Sequence, residues 1–425
     1  MVNMPQGRSS QAPFSIQPQA PASRLMSAQI RSMGGRMPRV FLALLSLTAL
    51  LLSLPASAQS NRIEVAYALV NYSELLTFDV DPHTGIPTQE GEPISISHNE
   101  SATVSPSPDD HFLYVLGDDA QNHQHIWVYA TDSTGAPQGA PIQVVNVTNL
   151  DAFKIDPDGK LAYAPERHWS GSQAVTDTIQ LFRVDPQSGL LSPSSKVVAA
   201  FPQNGPCGNA WSIEGFLELN GFNGDGSKLL DEWFCTAYGW LGGIYFAYDV
   251  NQKTGALGSE QQVFSWSEDS SVDGVWFTPR AVIDYSDPAG VEGDSAVLIY
   301  PPSGGSDPLF SCGLQMLEAC ASGLGGMPEP AGEYMFLQSS EYNVDITRID
   351  LRAKKIVETG NDFYGYPLAI SPDRLLIYTR GPDQDQQSMV PIYTFNPISG
   401  EVQAGGTIVL ASSGYVVVIP VIRER

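Results

Sequence analysis

The chain has 425 residues, with 22 basic and 46 acidic side chains and a formal net charge of −24. A surface this acidic repels nucleic acid and anionic lipid, and no basic cluster offsets it, so nucleic-acid binding is excluded as a function. The charge favours cations or neutral molecules as ligands. Length alone would predict two or three domains, unless an internal repeat uses the whole length in one fold.

Residues 1–58 are predicted to be a long leader that ends in a secretory signal peptide. Arg36 and Arg39 precede a mostly apolar run without charges, Val40–Leu52, and residues 56–58 (Ala-Ser-Ala) form a small-x-small cleavage signal. The run is shorter than the roughly 20 residues of a membrane anchor. We therefore expect a secreted or periplasmic mature chain without a membrane span. Its net charge would be near −29, because the leader carries five arginines and no acid.

Two kinds of turn signal alternate along the rest of the chain. The first is of the Pro-Asp-Gly type and occurs at residues 107–110, 156–159, 223–226, 329–332 and 371–374. The second ends in glycine and occurs at residues 81–85, 131–135, 185–189, 251–255 and 396–400. Asp or Asn caps such turns, Pro presets φ, and the last Gly supplies the positive φ of a bulged hairpin.

Two apolar strands are predicted between a first signal and the second signal that follows it. These strands are apolar or aromatic on both faces, as in Ile126-Trp127-Val128-Tyr129, whereas a sheet with one solvated face alternates with polar residues. No amphipathic helix is available to cover a face, so many small sheets must cover each other. The mature length divided by seven is about 52 residues, which matches the repeat period.

The predicted fold is therefore all-β: a seven-bladed β-propeller of four-stranded antiparallel blades over residues 59–425, with a two-sheet sandwich as the alternative. Residues 275–331 are irregular and include a Gly-rich insertion near 301–331. The first strand pair lacks a preceding Pro-Asp turn, and Gly414–Ile422 is a C-terminal strand without a partner. We expect this last strand to pair with Val65–Val70, complete the first blade and close the ring.

Two segments resemble a known family. Residues 107–116 (Ser-Pro-Asp-Asp-His-Phe-Leu-Tyr-Val-Leu) and 179–191 (Ile-Gln-Leu-Phe-Arg-Val-Asp-Pro-Gln-Ser-Gly-Leu-Leu) resemble YVTN-type propellers, including the lactonase-like seven-bladed family. The resemblance covers roughly residues 62–422 and rests on turn and core residues, so it implies the fold and carries over no catalytic residue. The family includes phosphogluconolactonases and muconate-cycloisomerising relatives. The acidic charge, the cysteines and the Gly-rich insertion depart from it, and export argues against a phosphorylated sugar lactone as substrate.

Functional groups are expected on one face of the propeller. The loops between the second and third strands of each blade share a face with the loops between blades, which we call the loop face; the turns described above lie on the opposite turn face. Glu166, Arg167, His168 and Trp169 form the densest cluster, predicted at one loop mouth. His168 could be a general base or acid, and Arg167 could hold a carboxylate or an oxyanion. A solvated loop with a local ion pair is the alternative.

A second group of acids lies inside an apolar strand. Asp231-Glu232-Trp233 is surrounded by Leu and Phe, and an acid there needs a partner, for which Arg280 is a candidate. A structural ion pair is the favoured alternative. The candidate catalytic residues are Glu166, Arg167, His168, Glu232 and Arg280.

Aromatic residues near the predicted loops suit a sugar or a peptide at a polar mouth, although packing of long loops explains them almost as well. The candidates for ligand binding are Trp169, Trp211, Tyr238, Trp240 and Tyr364. His123 and His125, with Asp118 and Asp119 nearby, could hold a metal if they shared a strand face, but a polar loop is favoured. We therefore expect no metal site and no cofactor.

Four cysteines in an exported chain predict two disulfides rather than a zinc site, since no Cys-x-x-Cys is present. We expect Cys207 to pair with Cys235. The chain leaves the loop face after Cys207, turns at residues 223–226 and returns to the loop face at Cys235, so both sulfurs finish at the same end of one blade. Cys312 and Cys320 lie in one Gly-rich insertion, and a local bridge between them is the simplest closure.

Two classes of function remain. The favoured one is an exported, monomeric propeller that binds a small molecule, a glycan or a protein partner on its loop face. The alternative is a lactonase-like hydrolase or isomerase that acts on a small lactone or carboxylate. The absence of a Gly-x-Ser-x-Gly nucleophile motif and of a clear metal set favours the binding protein. A His, an Arg and a carboxylate that converge on one pocket would favour the enzyme.

Overall fold

The computed structural model describes residues 62–96, 102–170, 173–200, 221–223, 225–237, 240–267, 271–287, 296–303, 308–312, 326–338, 343–381, 388–412 and 414–424. Side chains are outside the description at residues 62, 167–177, 198–200, 231–244, 259–274, 286–287, 296, 312 and 424. The predicted leader, residues 1–58, lies outside the described residues, so it stays a prediction.

The described residues form seven four-stranded antiparallel sheets, which are the blades of a propeller. Within each blade we name the strands from the central axis outwards. Blade 1 consists of β28 (Val416–Glu424), β1 (Arg62–Val70), β2 (Glu74–Val80) and β3 (Pro87–Ser95). Blade 2 consists of β4 (Thr103–Pro106), β5 (Phe112–Asp118), β6 (Gln124–Ala130) and β7 (Gln143–Asn146). Blade 3 consists of β8 (Lys154–Ile155), β9 (Leu161–Ser170), β10 (Gln173–Val184) and β11 (Leu191–Ala200).

The remaining blades follow in chain order. Blade 4 consists of β12 (Gly221–Phe222), β13 (Lys228–Ala237), β14 (Trp240–Val250) and β15 (Leu257–Ser267). Blade 5 consists of β16 (Ser271–Phe277), β17 (Val282–Asp287), β18 (Ala296–Tyr300) and β19 (Phe310–Cys312). Blade 6 consists of β20 (Gly326–Pro328), β21 (Tyr334–Gln338), β22 (Asn343–Asp350) and β23 (Lys355–Tyr364). Blade 7 consists of β24 (Tyr366–Ile370), β25 (Leu376–Arg380), β26 (Met389–Phe395) and β27 (Val402–Val409).

The predicted seven-bladed fold and its closure are confirmed. All nine residues of β1 pair with β28, in an antiparallel register that places Val65 opposite Val421 and Val70 opposite Val416. The last strand of the chain therefore supplies the innermost strand of the first blade. The part of the chain that the structure describes holds no helix, and so none that is long and apolar enough to cross a membrane.

Both kinds of predicted turn are present. The first kind is closed by a backbone bond from the fourth residue to the first, as from Gly159 N–H to Asp156 O at 2.9 Å. The second kind ends in a glycine with positive φ, as at Gly189 (φ 71°). A side chain at Gly189 would also collide with the Phe112 ring, because a Cβ would lie 2.3 Å from it. Only glycine satisfies both demands.

The core consists of apolar layers between neighbouring blades, which explains why the strands are apolar on both faces. In β1, Ala66 and Ala68 pack against Tyr378 and Ile392 of blade 7. The alternate residues of the same strand, which include Val65, pack against blade 2. Each blade thus buries both faces, and removal of one blade would expose two apolar layers.

Tyrosine hydroxyls link several pairs of neighbouring blades across these layers, one tyrosine for each such pair. Tyr67 of blade 1 donates to the carbonyl of Gly135 in blade 2 at 2.8 Å, and Tyr114 of blade 2 donates to Gly189 of blade 3 at 2.9 Å. Tyr163 of blade 3 donates to Gly255 of blade 4 at 3.1 Å. The glycine-terminated turns thus also accept the bonds that fix one blade against the next.

Candidate functional site

The loop face carries two groups of candidate residues, one in blade 2 and one in blade 3. The sequence-predicted cluster of Glu166, Arg167, His168 and Trp169 belongs to blade 3 and lies within β9. The prediction that this cluster lies in a loop was wrong, because β9 extends to Ser170 and pairs with β10, with Glu166 opposite Thr178. Polar side chains suggested a loop, but the backbone ladder does not depend on side-chain polarity, and Thr suits a strand.

Glu166 is held by an ion pair. The ammonium of Lys196 in β11 bonds its carboxylate, and the Glu166 side chain is 13 % exposed. Ala162 and Ala164, which precede Glu166 on the same strand face, pack against blade 2. Glu166 therefore lies on the side of blade 3 that meets blade 2. The side chains of Arg167, His168 and Trp169 lie outside the description, so their proposed roles stay predictions.

Arg280 was predicted to accompany Glu232 in a catalytic group, and the structure places it elsewhere. It lies in the turn between β16 and β17, on the turn face, where it forms an ion pair with Glu333 of blade 6 at 3.4 Å. Arg374 of blade 7 binds the same carboxylate at 2.8 Å, and its hydrogen bond lowers the pKa of Glu333. Arg280 thus belongs to an ionic link between turns of three blades. A turn residue two positions before a strand cannot reach the loop-face end of that blade.

The other predicted site residues have backbone positions only, or lie outside the description. Glu232 lies within β13, as the sequence predicted, Trp240 begins β14, and Tyr238 lies outside the described residues. Trp211 lies outside the described residues. Tyr364 ends β23 on the loop face, and its side chain is 49 % exposed.

Two of the four cysteines lie within the described residues. Cys235 lies near the loop-face end of β13 and Cys312 ends β19, while Cys207 and Cys320 lie outside the described residues. The two disulfides therefore stay predictions.

The loop between β5 and β6 in blade 2 brings two histidines and a carboxylate together. Asp119 accepts backbone bonds from Gln121 at 2.8 Å and His123 at 2.9 Å through Oδ1. Its other oxygen, Oδ2, lies 3.0 Å from Nε2 of His125 and 3.5 Å from Nδ1 of His123. One oxygen thus shapes the loop, and the other orients the two imidazoles.

The two imidazoles differ in accessibility. Both ring nitrogens of His125 have oxygen partners, since Nδ1 lies 3.0 Å from the Asn146 amide oxygen, and its side chain is only 14 % exposed. The His123 side chain is 72 % exposed, with Nδ1 towards Asp119. The backbone bond from His123 is the largest influence that lowers the pKa of Asp119, so this carboxylate is ionised across the physiological range. His123 is the imidazole that an external ligand can reach.

The two groups on the loop face are connected. The Gln124 side chain, next to His125, donates to the Leu150 carbonyl at 2.7 Å and accepts from the Leu150 N–H at 2.8 Å. Leu150 in turn forms a β-bridge with Glu166. We call residues 119–125 of blade 2 and 166–169 of blade 3 the blade 2–3 site. The sequence indicated both groups, but not that Leu150 joins them.

The sequence favoured a polar loop for both His123 and His125, and the structure places only His123 in a loop. His125 lies in β6, where its ring packs 5.4 Å from that of Trp127, and His123 lies in the loop. Because the two residues belong to different elements, they do not share a strand face. No group of three potential metal ligands is found among the described residues.

No protein-family model matches the chain, and no curated protein matches its sequence significantly. Solved structures do match it. A proposed 6-phosphogluconolactonase from Bacteroides fragilis superposes with a TM-score of 0.56 and 15 % identity, over 86 % of this chain and 99 % of that one. A similar protein from Bacteroides uniformis gives 0.55 and 15 %, over 84 % and 100 %. The periplasmic gluconolactonase PpgL of Pseudomonas aeruginosa gives 0.52 and 13 %, over 84 % and 99 %.

The fold is that of the lactonase-like propellers. Nearly the whole length of each of these structures aligns with this chain. The similarity therefore includes the full ring of blades rather than one repeat. The expectation from residues 107–116 and 179–191 is thereby confirmed at the level of the fold. At such low identity a shared fold does not transfer an activity, which has to be argued from the site.

Proposed function

We propose that this protein is an exported lactonase-like hydrolase that opens a small neutral lactone at the blade 2–3 site. The observation that carries the proposal is the Asp119–His123 pair, in which a fixed carboxylate faces one nitrogen of an exposed imidazole on the loop face. The similarity to propellers described as a 6-phosphogluconolactonase and as a gluconolactonase supports this reaction over simple ligand binding. The earlier preference for a binding propeller is therefore given up.

Hydrolysis of a lactone requires few catalytic groups. A water molecule adds to the lactone carbonyl, the ring C–O bond breaks, and the released alkoxide takes a proton. The product is an open-chain hydroxy acid. His123 is suited to remove the proton from water and to return it to the leaving oxygen. Asp119 stabilises the imidazolium that forms in between, as an ionised orienting carboxylate does in other hydrolases.

The charge of the protein argues for a neutral substrate. The chain carries a formal net charge of −24, which repels a phosphorylated lactone and also repels the carboxylate product once it forms. Among the similar structures, PpgL is described as a periplasmic gluconolactonase, which acts on an unphosphorylated sugar lactone by its name. We therefore propose a neutral sugar lactone, such as glucono-δ-lactone.

The test compares turnover in three histidine variants of the mature chain. Glucono-δ-lactone hydrolysis is followed by pH-stat titration, with the spontaneous rate subtracted. His123→Ala should lower kcat by a factor of about 10² to 10⁴, the usual contribution of a general base, without a change in melting temperature. His83→Ala is the matched control, because His83 is an exposed histidine in a turn of the opposite face.

The same experiment separates the two halves of the site. His168→Ala tests the blade 3 group: loss of turnover in this variant alone would move the base from His123 to His168. Full turnover in both variants would remove the blade 2–3 site from the mechanism. Absence of turnover in the wild-type protein would contradict the hydrolase and favour a binding propeller.

Export forms a separate part of the proposal. It is supported by the leader of residues 1–58 and by the similarity to a protein described as periplasmic. Expression of the full chain in a Gram-negative host should yield a periplasmic product whose first residue is Gln59. A product that keeps the leader in the cytoplasmic fraction would contradict it.

A further inference from the structure

The hairpin between β1 and β2 has an unusual backbone. Asn71 and Tyr72 both have left-handed φ values, 50° and 51°, and the turn is closed by a 3.0 Å bond from Ser73 N–H to the Val70 carbonyl. Asn tolerates this conformation, but a residue as bulky as Tyr does so at a cost of about 1–2 kcal/mol. A glycine at position 72 would form the same turn with less strain.

The hairpin is clamped to the start of the innermost strand. The Asn71 N–H donates to the Tyr415 carbonyl at 2.7 Å, and the Tyr415 N–H donates to the Asn71 side-chain oxygen at 3.0 Å. Such close approach requires glycine at position 414, since a Cβ there would lie 1.9 Å from the Asn71 amide oxygen. Tyr415 is thus held in place by its backbone on both sides.

The clamp stacks two aromatic rings. The rings of Tyr72 and Tyr415 have centroids 4.7 Å apart and planes inclined by 16°. Tyr72 is partly buried against the core between blades 1 and 2, whereas Tyr415 is 47 % exposed. Tyr415 precedes β28, the innermost strand of blade 1, so its open ring lies on the loop face near the central axis.

Stability alone does not account for this pair. An aromatic stack contributes about 0.5–1.5 kcal/mol, which the left-handed backbone of Tyr72 largely offsets. The net result is a rigid, partly exposed aromatic ring that adds little to folding. Backbone strain of this kind is concentrated at sites that hold a ligand.

We propose that Tyr415, supported from behind by Tyr72, binds the apolar face of a neutral sugar ring. A sugar ring has C–H groups on its faces and hydroxyls on its edges, so it needs a flat aromatic ring beside polar groups. Ser412 and Asn71, whose side chains lie 3.5 Å apart, supply polar groups next to Tyr415. The acidic charge of the chain favours a neutral sugar over a charged one. This site shares no residue with the blade 2–3 site and does not depend on the proposed hydrolysis.

The test measures binding rather than turnover. Methyl β-D-glucopyranoside and cellobiose are the sugar probes, and N-acetylphenylalanine amide represents an aromatic peptide; binding is read by saturation-transfer NMR and titration calorimetry. Tyr415→Ala should weaken sugar binding about tenfold or more, whereas Tyr415→Phe should retain most of it because the ring remains. Ile398→Ala is the control, since Ile398 is a 90 % exposed apolar residue on the turn face.

Tyr72→Gly distinguishes a ligand site from a structural stack. It should weaken sugar binding while the melting temperature changes little, because relief of the left-handed strain offsets part of the packing lost with the Tyr72 ring. A clear loss of stability with unchanged binding would overturn the proposal. So would wild-type protein that binds neither sugar, or binding that persists in Tyr415→Ala. Tyr415-dependent binding of the phenylalanine amide alone would overturn the assignment to a sugar. These experiments measure binding and stability, and none measures a lactonase rate. Their results can therefore be interpreted even if the hydrolase proposal fails.

Discussion

The Tyr378 hydroxyl donates a 2.5 Å hydrogen bond to Oε1 of Glu64, across the seam where the seventh blade meets the first. Glu64 is fully buried, and this burial is the main cause that raises its pKa to about 8. The Tyr67 hydroxyl also lies 2.6 Å from Oδ1 of Asp110, on the other side of blade 1, and burial raises the pKa of Asp110 to about 7. The blade that closes the ring therefore has a buried carboxyl group at each of its two interfaces.

The seam carboxyl makes stability depend on pH. The pKa of Glu64 is about 8 in the folded protein, against 4.5 for an ordinary glutamate. Folding takes up a proton between these values, so the contribution of Glu64 is fully present below pH 4.5 and is lost as the pH rises through about 8. Gln imitates the protonated acid and does not titrate. Glu64→Gln should therefore exceed wild type in stability by several kcal/mol at pH 9 and match it at pH 4.5.

Urea unfolding at the two pH values measures this effect. Glu92→Gln, at an exposed position of β3, controls for the change of net charge. Equal stabilisation by Glu64→Gln at both pH values would show that ionisation of Glu64 is not the cause.

Removal of residues 414–425 should prevent normal closure. The deletion removes β28, which pairs with every residue of β1, and exposes apolar layers of blade 1 and its neighbours. The expected loss is several kcal/mol of unfolding free energy, with increased binding of a hydrophobic dye. The measurement is thermal unfolding by circular dichroism. A truncated chain that melts with the wild type would mean that the ring does not need its last strand.

The outer edge of the same seam depends on glycine. The Gly406 N–H donates to the Gly85 carbonyl at 3.2 Å, and a Cβ at Gly406 would lie 2.6 Å from that oxygen. Gly406→Ala should therefore push β27 away from blade 1 and cost about 1–3 kcal/mol. Gly258→Ala is the control, because the nearest atom to its Cβ would be at 3.3 Å. Denaturant midpoints compare the two; equal losses would contradict the close approach at the seam.

The two disulfides are testable by peptide mapping without reduction. We expect one fragment that links Cys207 to Cys235 and another that links Cys312 to Cys320. The longer bridge should stabilise the protein by roughly 3 kcal/mol, because it restricts the unfolded chain, and the shorter bridge by less. A fragment that links Cys207 to Cys312 or Cys320 would refute the pairing, and free thiols at all four positions would refute oxidation altogether.

The sequence was sufficient for the architecture because its signals are local. The turn at residues 156–159 and the glycine at position 189 are specified by the φ preferences of Asp, Pro and Gly, and neighbouring residues complete them. Strands that are apolar on both faces, such as β6, require that both faces of each sheet be buried. In a chain without amphipathic helices, other sheets must bury them. The unpaired strand at the C-terminus then predicted the closure that β28 and β1 form.

Only the tertiary structure decided which side chains meet. Arg280 looked available to Glu232, yet it binds Glu333, and Glu166 is held by Lys196, 30 residues along the chain. Tyr378 meets Glu64 across 314 residues. Such contacts depend on how the blades are placed around the ring and on the register between strands, to which distant residues contribute. Local backbone preference therefore determined the propeller, whereas the neighbours of each polar side chain were determined by the packing of one blade against the next.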